Sequence, residues 1–180
     1  SQIGIVKSPT ITLKSDSSTT LVAPDVTWIG NSGHTYEIYK IAKTWGNANT
    51  FAQSVGGYLA KIDNATENAE ILSHLQNAYS SSDNDYSSAI DGGGSWYAWL
   101  GASDVQTESV WKWSYDNATI TSKYSNWGKA EPDNFTNAEV SPGGQDYMAM
   151  GIENWPYGSS TNAGYGNAGQ WNDLSGSDVL

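Results

Sequence analysis

Two short acidic stretches, far apart in the chain, place oxygen-bearing side chains next to one another in loop-like sequence. The first is Glu-Pro-Asp-Asn at residues 131–134, and the second is Trp-Asn-Asp at residues 171–173. Carboxylates held close together repel one another unless a positive charge lies between them. Ca²⁺ meets that need, because it takes six to eight oxygen ligands from side chains, backbone carbonyls and water. The two stretches therefore predict a metal site joining distant parts of the chain, and the alternative is that both are ordinary polar loops.

The proline after Glu131 bears on how such a site could form. X-Pro peptide bonds adopt the cis form at low cost. A cis bond before Pro132 could direct Glu131 and Asp133 toward one point.

Charge and composition exclude several classes of function. The 180 residues carry a formal net charge of −11, which repels phosphate backbones, so nucleic acids and anionic membranes are poor partners. No apolar run is long enough to insert into a bilayer. The absence of cysteine excludes disulfides, thiolate metal sites and cysteine nucleophiles. With only two histidines, a multi-histidine zinc site is not expected either.

The chain divides into two parts. Residues 1–27 are rich in Ser, Thr, Val and Ile, and they predict an N-terminal extended arm with one or two strands, or a linker. Residues 28–180 have the length of one domain. Because the sequence starts at Ser1 without a signal peptide or initiator Met, we expect one module of a larger chain.

Periodicity in the second part predicts an α+β fold with two helices. Residues 44–55 have helical spacing, with Thr44 as a cap and two glycines at residues 56–57 as the end. A short strand at residues 58–62 precedes a second helix, which starts with a capping-box pattern at Asn64 and Glu67. Its predicted buried face consists of Ala69, Ile71, Leu72 and Leu75.

Aromatic strands and long polar loops make up the rest. Residues 96–101 and 147–150 read as buried strands, and Trp111, Trp113 and Tyr115 alternate as if on one buried face. The loops between them are long, and loops of this length in a compact domain tend to be functional.

These elements and motifs together resemble the C-type lectin-like domain from about Trp28 to the end of the chain. The helix and strand at residues 44–62 look like the family's first helix and following strand, and Trp99-Leu100-Gly101 looks like its Trp-Ile-Gly strand. Residues 124–127 match the run that leads into the family's Glu-Pro-Asn motif, and residues 171–173 match its Trp-Asn-Asp motif outright. The resemblance implies a C-type lectin-like fold with small antiparallel sheets and long Ca²⁺-binding loops.

The resemblance also implies a ligand set. In sugar-binding members, one Ca²⁺ is held by these motifs and a later Glu, and two vicinal sugar hydroxyls complete its shell while hydrogen-bonding the same side chains. Carried over, the residues that would bind both metal and sugar are Glu131, Asp133, Gln145, Asn172 and Asp173. The residues in place of the family's second, structural Ca²⁺ site are Asp104, Glu108, Asn134 and Asp146. Aromatic candidates to pack against the apolar face of a sugar are Trp155, Tyr157 and Tyr165.

Two positions in this set depart from the family pattern. Asp133 replaces Asn, which adds negative charge and removes an amide donor for a sugar oxygen. Gln145-Asp146 replaces Glu-Asp, so Gln145 can ligate only through its amide oxygen. Glu139 is a rival ligand, and we favour Gln145 because an apolar strand begins directly after Asp146.

A third departure concerns the end of the chain. The family has a closing strand that pairs with its first strand, and this sequence stops at Leu180, soon after Asp173. An unpaired edge there would be a liability. The closing strand could come from residues beyond this sequence, from residues 1–27 or from another chain.

The expected function is Ca²⁺-dependent carbohydrate binding as a cell-adhesion module, with cell-surface glycans as partners. Glu131 at the start of its motif favours mannose, glucose or fucose in the family pattern. The acidic, cysteine-free composition suits a ligand-binding module of a bacterial surface adhesin, which would place it extracellularly at the cell surface.

The alternative is a lectin-like domain that binds a protein or peptide, which Asp133 and Gln145 favour. A glycoside hydrolase using Glu131 and Asp173 is a third reading. Because these acids lie in metal-ligand groupings, we expect no enzyme.

Overall fold

The described part of the chain combines two helices with one mixed, mainly antiparallel sheet and long loops. The computed structural model describes residues 22–79, 88–120 and 123–180, together with the backbone of residues 2–7. The elements are β1 Gln2–Lys7, β2 Val26–Ile29, β3 Thr35–Lys40, α1 Trp45–Ser54, β4 Gly57–Leu59, α2 Ala65–Ala78, β5 Ser88–Ala89, β6 Ser95–Ser103, β7 Lys112–Trp113, β8 Tyr147–Gly151 and β9 Trp171–Leu174. The predicted α+β class is confirmed.

The sheet has its N-terminal strand in the middle. Its strand order is β2-β3-β1-β6-β8-β9. β1 pairs antiparallel with β3 and β4 and touches β6 in parallel, with Ile3 opposite Trp99. The sequence analysis left open three possible sources of a closing strand, and one of them was residues 1–27. Residues 2–7, from that source, lie between β3 and β6. β2 already begins at Val26, so its pairing with β3 extends across the predicted boundary at residue 28.

Helix α1 begins and ends where the sequence predicted. The Thr44 side chain accepts a hydrogen bond from the Asn47 N–H at 3.4 Å, which satisfies one free donor of the first turn. Gly56 follows the helix with a φ of 81°, a conformation that glycine adopts at little cost. The helix is held to the sheet by Trp45, whose indole N–H donates to the Leu100 carbonyl at 2.8 Å.

Helix α2 has the predicted start, but a different buried face. The Asn64 side chain accepts from the Glu67 N–H at 2.9 Å, while the Glu67 carboxylate accepts from the Asp63 N–H at 2.7 Å. Ile71 and Leu75 are buried as predicted, whereas Ala69 is exposed. Glu67 takes a buried position instead because its carboxylate also accepts from the Tyr36 hydroxyl.

Asn68 of α2 connects the helix to the C-terminal motif. Its amide donates to the Gly169 carbonyl at 2.9 Å and its oxygen accepts from the Trp171 indole N–H at 2.8 Å. A buried amide with both ends bonded fixes the position of the chain just before β9. Helix α2 thus holds the start of the second acidic stretch through Asn68.

Side chains alternate along β6 into two apolar cores. Tyr97 and Trp99 join the core that contains α1, and Ala98 and Leu100 join the core that contains α2. The prediction that Trp111, Trp113 and Tyr115 share one buried face was wrong for Tyr115. That ring is 57% exposed and stacks on Tyr58 at 3.8 Å between ring centroids, because β7 ends at Trp113.

Candidate functional site

The two acidic stretches touch each other at the edge of the sheet. Asp173, fully buried on β9, accepts hydrogen bonds from the backbone N–H groups of Asp133 at 3.3 Å and Asn134 at 2.7 Å. The Gly128 N–H also donates to the Trp171 carbonyl at 2.8 Å, which fixes the start of the first loop. The Glu131–Pro132 bond is cis, the form that the sequence allowed.

Three carboxylates converge at this contact. Glu131, Asp133 and Asp173 each offer an oxygen, and these atoms lie within 4.8 Å of one another. Oxygens that bind one Ca²⁺ at 2.3–2.6 Å can be at most about 5 Å apart, so the spacing fits a shared cation.

The carboxylates also lack a counter-charge. No lysine or histidine forms an ion pair with any of them within the described part of the chain. Glu131 Oε2 is buried without a hydrogen-bond partner there, although buried polar atoms almost always have one. Because all donor atoms are oxygens, the chemistry of the set fits Ca²⁺.

Burial favours the protonated form of two carboxyl groups in the cluster. Burial raises the pKa of Glu131 to about 8, and the charges of Asp133 and Asp173 add to the shift. Burial also raises the pKa of Asp173 to about 6, against the backbone N–H donors that favour its charged form. A cation bound here would have to displace protons, so metal binding should release them.

We expect the metal-free protein to lose stability as the pH rises from about 5 to about 8. Between the ordinary pKa of 4.5 and the folded value of about 8, folded Glu131 retains a proton that the unfolded chain has released. The folded state then binds more protons than the unfolded state, and the free energy of unfolding falls with pH. Urea titrations of chelator-treated protein across this range measure the slope. Glu131→Gln should reduce the dependence of the free energy of unfolding on pH. An unchanged dependence in that variant would contradict the raised pKa of Glu131.

An open cavity of about 410 Å³ lies over the cluster. Gln145 and Asn172 line it, as the prediction of shared ligands requires. The Asn172 amide donates to the Tyr97 hydroxyl at 3.1 Å, which fixes the orientation of its carboxamide. The Gln145 oxygen accepts from the Phe135 N–H at 2.9 Å and retains a second lone pair. Glu139, the rival ligand, lies in an exposed turn and does not line the cavity.

The residues of the predicted second metal group are linked in pairs beside the first cluster. The Asn134 amide donates to the Glu108 carboxylate at 2.8 Å, and the Asp104 N–H donates to the Asp146 carbonyl at 3.1 Å. Asp104 is only 3% exposed, and its Oδ1 is buried with no partner among the described residues. Burial raises the pKa of Asp104 to about 6, and the charges of Glu108 and Asp146 add to the shift. This group offers oxygen donors and one unpartnered oxygen, but among the described residues only Glu131, Asp133 and Asp173 bring three acidic ligand atoms within 4.8 Å of one another.

The three aromatic candidates have different positions. Tyr165 lines the cavity and is 61% exposed. Trp155 also lines it but is 2% exposed, so it forms part of the base. The structure does not bring Tyr157 to the cavity: its ring is 70% exposed elsewhere, because its N–H is bonded to the Gly93 carbonyl at 2.9 Å.

Sequence reasoning missed one wall of the cavity. Ile90, Asp91, Phe135 and Val140 line it, and the Asp91 carboxylate accepts hydrogen bonds from the Gln145 amide at 3.2 Å and the Ser175 N–H at 2.9 Å. The sequence analysis placed no helix, strand or site residue in residues 80–94. The only local signal was one apolar residue and one acid before three glycines, which does not indicate where a loop docks.

Trp155 packs closely against several glycines of the surrounding loops. This packing predicts that a side chain added at one of those glycines destabilises the fold. A Cβ at Gly166 would lie 2.0 Å from the Trp155 ring, whereas a Cβ at Gly143 would meet nothing within 4 Å. Gly166→Ala should therefore lower the free energy of unfolding by about 1–3 kcal/mol through overpacking. Gly143→Ala is the matched control and should change it little. Chemical denaturation compares the two, and equal effects would contradict the packing described.

Comparisons with known proteins point to one family. The family model for the lectin C-type domain matches residues 41–178. The chain is 26% identical over 116 residues to a C-type lectin from Micrurus corallinus, covering 63% of this chain and 63% of that one. It is 27% identical over 97 residues to a perlucin-like protein from Mytilus galloprovincialis, covering 54% of this chain and 53% of that one. The chain thus spans less than two thirds of the length of these relatives.

Solved structures share the fold at low identity. The C-type lectin CEL-I from Cucumaria echinata superposes with a TM-score of 0.55 at 21% identity, covering 81% of this chain and 84% of that one. Human lithostathine superposes with a TM-score of 0.58 at 17% identity, covering 94% and 93%. These matches confirm the predicted C-type lectin-like fold. With the family match over most of its length, the chain belongs to the C-type lectin domain family, as a member without cysteine.

Proposed function

We propose that this chain binds carbohydrates through Ca²⁺ and serves as an adhesion module. The observation that carries the proposal is the cluster of Glu131, Asp133 and Asp173, which lies at an open cavity without a counter-cation among the described residues. Three acids held this close without a cation make one another costly to ionise, and a divalent ion would relieve that cost. Family membership supports a lectin, and the chemistry of the cluster supports the metal.

The residues of the cavity have distinct roles in this proposal. Glu131, Asp133 and Asp173 supply charge to the metal, while Gln145 and Asn172 supply neutral amide oxygens. Ca²⁺ held there would offer open coordination positions to two vicinal hydroxyls of a sugar. Asp133 accepts but cannot donate a hydrogen bond when ionised, so sugar hydroxyls must act as donors toward it. Tyr165 offers an exposed ring face beside them.

We extend the proposal to a second Ca²⁺ at the second group of predicted ligands, called the second cluster below. Asn134 belongs to both groups: its backbone N–H donates to Asp173, and its side chain donates to Glu108. Occupation of the second cluster would therefore also hold the loop that carries the first. Its ligands would be Asp104, Glu108, Asn134 and Asp146.

Calorimetric titration of the protein with simple sugars tests the function. Methyl glycosides of mannose, glucose and fucose should bind in Ca²⁺ with dissociation constants on the order of micromolar to millimolar, as expected for one small site. Chelator should abolish the binding, and Mg²⁺ should not restore it, because Mg²⁺ demands tighter octahedral geometry. Sugar binding that persists in chelator would contradict the proposal.

A peptide or protein ligand is the second candidate, and the cavity wall favours it. Ile90 is 75% exposed and Phe135 is 43% exposed, so the cavity has an apolar side that could take an apolar side chain. A glycan array separates the two candidates. Binding that free monosaccharide competes away supports the lectin, and an array without binding supports the peptide.

The raised pKa of Glu131 is also the property of a general acid, so the enzyme reading needs its own test. Glu131 lies within ligand distance of two other carboxylates, which accounts for part of that shift. The relatives found are C-type lectins, a family of binding modules. We expect no turnover of aryl glycosides.

We propose cell-surface glycans as partners and an extracellular surface adhesin as the setting. Neither helix in the described part of the chain is long and apolar enough to cross a membrane. The net charge of −11 disfavours nucleic acid. Since one site of this size binds weakly, adhesion would depend on many copies acting together.

A further inference from the structure

A second groove adjoins the cavity on the other side of Tyr165. It has a volume of about 240 Å³, and Tyr165 lines both it and the cavity over the acidic cluster. Tyr165 thus separates the groove from the cavity. The Lys129 N–H donates to the Tyr165 carbonyl at 2.6 Å, which ties Tyr165 to the loop that leads to Glu131. A ligand that filled the cavity could therefore continue past the exposed Tyr165 ring into the groove.

Carboxamide side chains build one wall of this groove. The Asn167 amide donates to Asn162 at 2.9 Å, and the Asn167 backbone N–H donates to the Gln170 oxygen at 2.8 Å. The Gln170 amide in turn donates to the Trp127 carbonyl at 3.1 Å. Each of these amides has two N–H donors, and the bonds described use one from Asn167, one from Gln170 and none from Asn162. The wall is pre-organised and retains spare donors.

The charge of the groove is opposite to that of the cavity. None of the described residues that line the groove is acidic, whereas Asp91, Glu131 and Asp133 line the cavity. The groove is also lined by Lys129, which is exposed and forms no ion pair with any described residue. The chain has eight basic residues against 19 acidic ones, so a groove lined by a lysine and by no described acid differs in charge from the chain as a whole.

Spare N–H donors together with an ammonium group match a ligand that presents acceptors and negative charge. A sugar carboxylate does both, and hydrogen bonds to a charged group are stronger than those between neutral groups. We propose that the groove is a second sugar subsite, which takes an acidic residue, such as a hexuronic acid, next to the sugar bound at the acidic cluster. This inference rests on the proposed function and adds a ligand class to it: oligosaccharides that pair a neutral vicinal diol with an adjoining uronic acid.

Matched disaccharides test the subsite. The two members of a pair carry the same terminal hexose and differ only in whether the second residue is glucose or glucuronic acid. In Ca²⁺, the acidic member should bind about fivefold more tightly, the scale of one partly exposed charge pair with hydrogen bonds. The difference should shrink in high salt, because salt screens exposed charges.

Lys129→Gln supplies the decisive variant, because Lys129 is exposed and lies outside the acidic cluster. It should remove the preference for the acidic disaccharide and leave monosaccharide binding unchanged. Lys112→Gln is the matched control: it makes the same charge change at a residue that lines neither the cavity nor the groove, and it should retain the preference.

The outcomes separate the two proposals. Equal affinity for the two disaccharides, or a preference that survives Lys129→Gln, would overturn the subsite while Ca²⁺-dependent monosaccharide binding stands. If the monosaccharide does not bind in Ca²⁺, both the proposed function and the subsite are overturned.

Discussion

Asp173→Asn should weaken Ca²⁺ binding by about 100-fold or more, beyond the loss typical of residues that only orient a metal ligand. The substitution keeps the size of the side chain but removes the charge of the most buried carboxylate in the cluster. The backbone N–H groups of Asp133 and Asn134 each donate to one carboxylate oxygen of Asp173. In the variant, one of these N–H groups would face an amide nitrogen, which cannot accept the bond. Direct calorimetric titration with Ca²⁺ measures the change.

Asp63→Asn is the matched control for Asp173→Asn. Asp63 has a side chain that is 60% exposed, and it forms an ion pair with Lys61 at the surface. Such pairs contribute little, so the control should bind Ca²⁺ like the unmodified protein. Wild-type affinity in Asp173→Asn would remove Asp173 from the metal site.

Trp155→Ala should lower the free energy of unfolding by about 3–5 kcal/mol, the cost typical of deleting a buried Trp side chain. Trp155 is 2% exposed, packs against Tyr97 at 5.6 Å between ring centroids, and approaches Glu131 through its indole N–H at 3.5 Å. Its removal would leave a void beneath the acidic cluster and unsupported glycines around it. Sugar binding should fall together with stability, because the same side chain lines the cavity.

Tyr157→Ala is the natural comparison for Trp155→Ala. Tyr157 is two residues away in the same loop and 70% exposed, so its truncation should cost well under 1 kcal/mol, as most surface substitutions do. Urea denaturation of both variants in saturating Ca²⁺ gives the two free energies. Similar losses for the two would show that Trp155 does not anchor the loop.

The parts of the molecule that could be read from the sequence are those in which local chemistry determines the outcome. Thr44 and Asn64 cap their helices as predicted, because an N-cap bond involves residues only three apart. Asn172 and Asp173 directly follow a buried Trp on a strand, and Glu131 and Asp133 flank a proline, so each half of the site was visible as a motif. The resemblance to a known family then paired the two halves.

The parts that the sequence did not reveal depend on long-range docking. Ala69 fits the apolar spacing of α2, yet Asn68 and Glu67 take the buried positions because distant groups in the C-terminal loop and β3 satisfy their polar atoms. Ile90 and Asp91 reach the cavity only because a loop of irregular backbone folds over it. No short-range pattern encodes such contacts.

The aromatic residues show the same limit. Tyr157 and Tyr165 lie in one Gly-rich loop and look equivalent in the sequence, but only Tyr165 lines the cavity. The difference comes from the backbone bond between Tyr157 and Gly93, 64 residues earlier in the chain. The separate groove beside Lys129 was invisible for the same reason, since its wall joins residues 127–129 to residues 162–170.

A crystal structure determined in ample Ca²⁺ tests the central claim most directly. The account predicts one ion bound by carboxylate oxygens of Glu131, Asp133 and Asp173, at the 2.3–2.6 Å typical of calcium. Glu131 and Asp173 turned away from each other, with no ion between them, would contradict it.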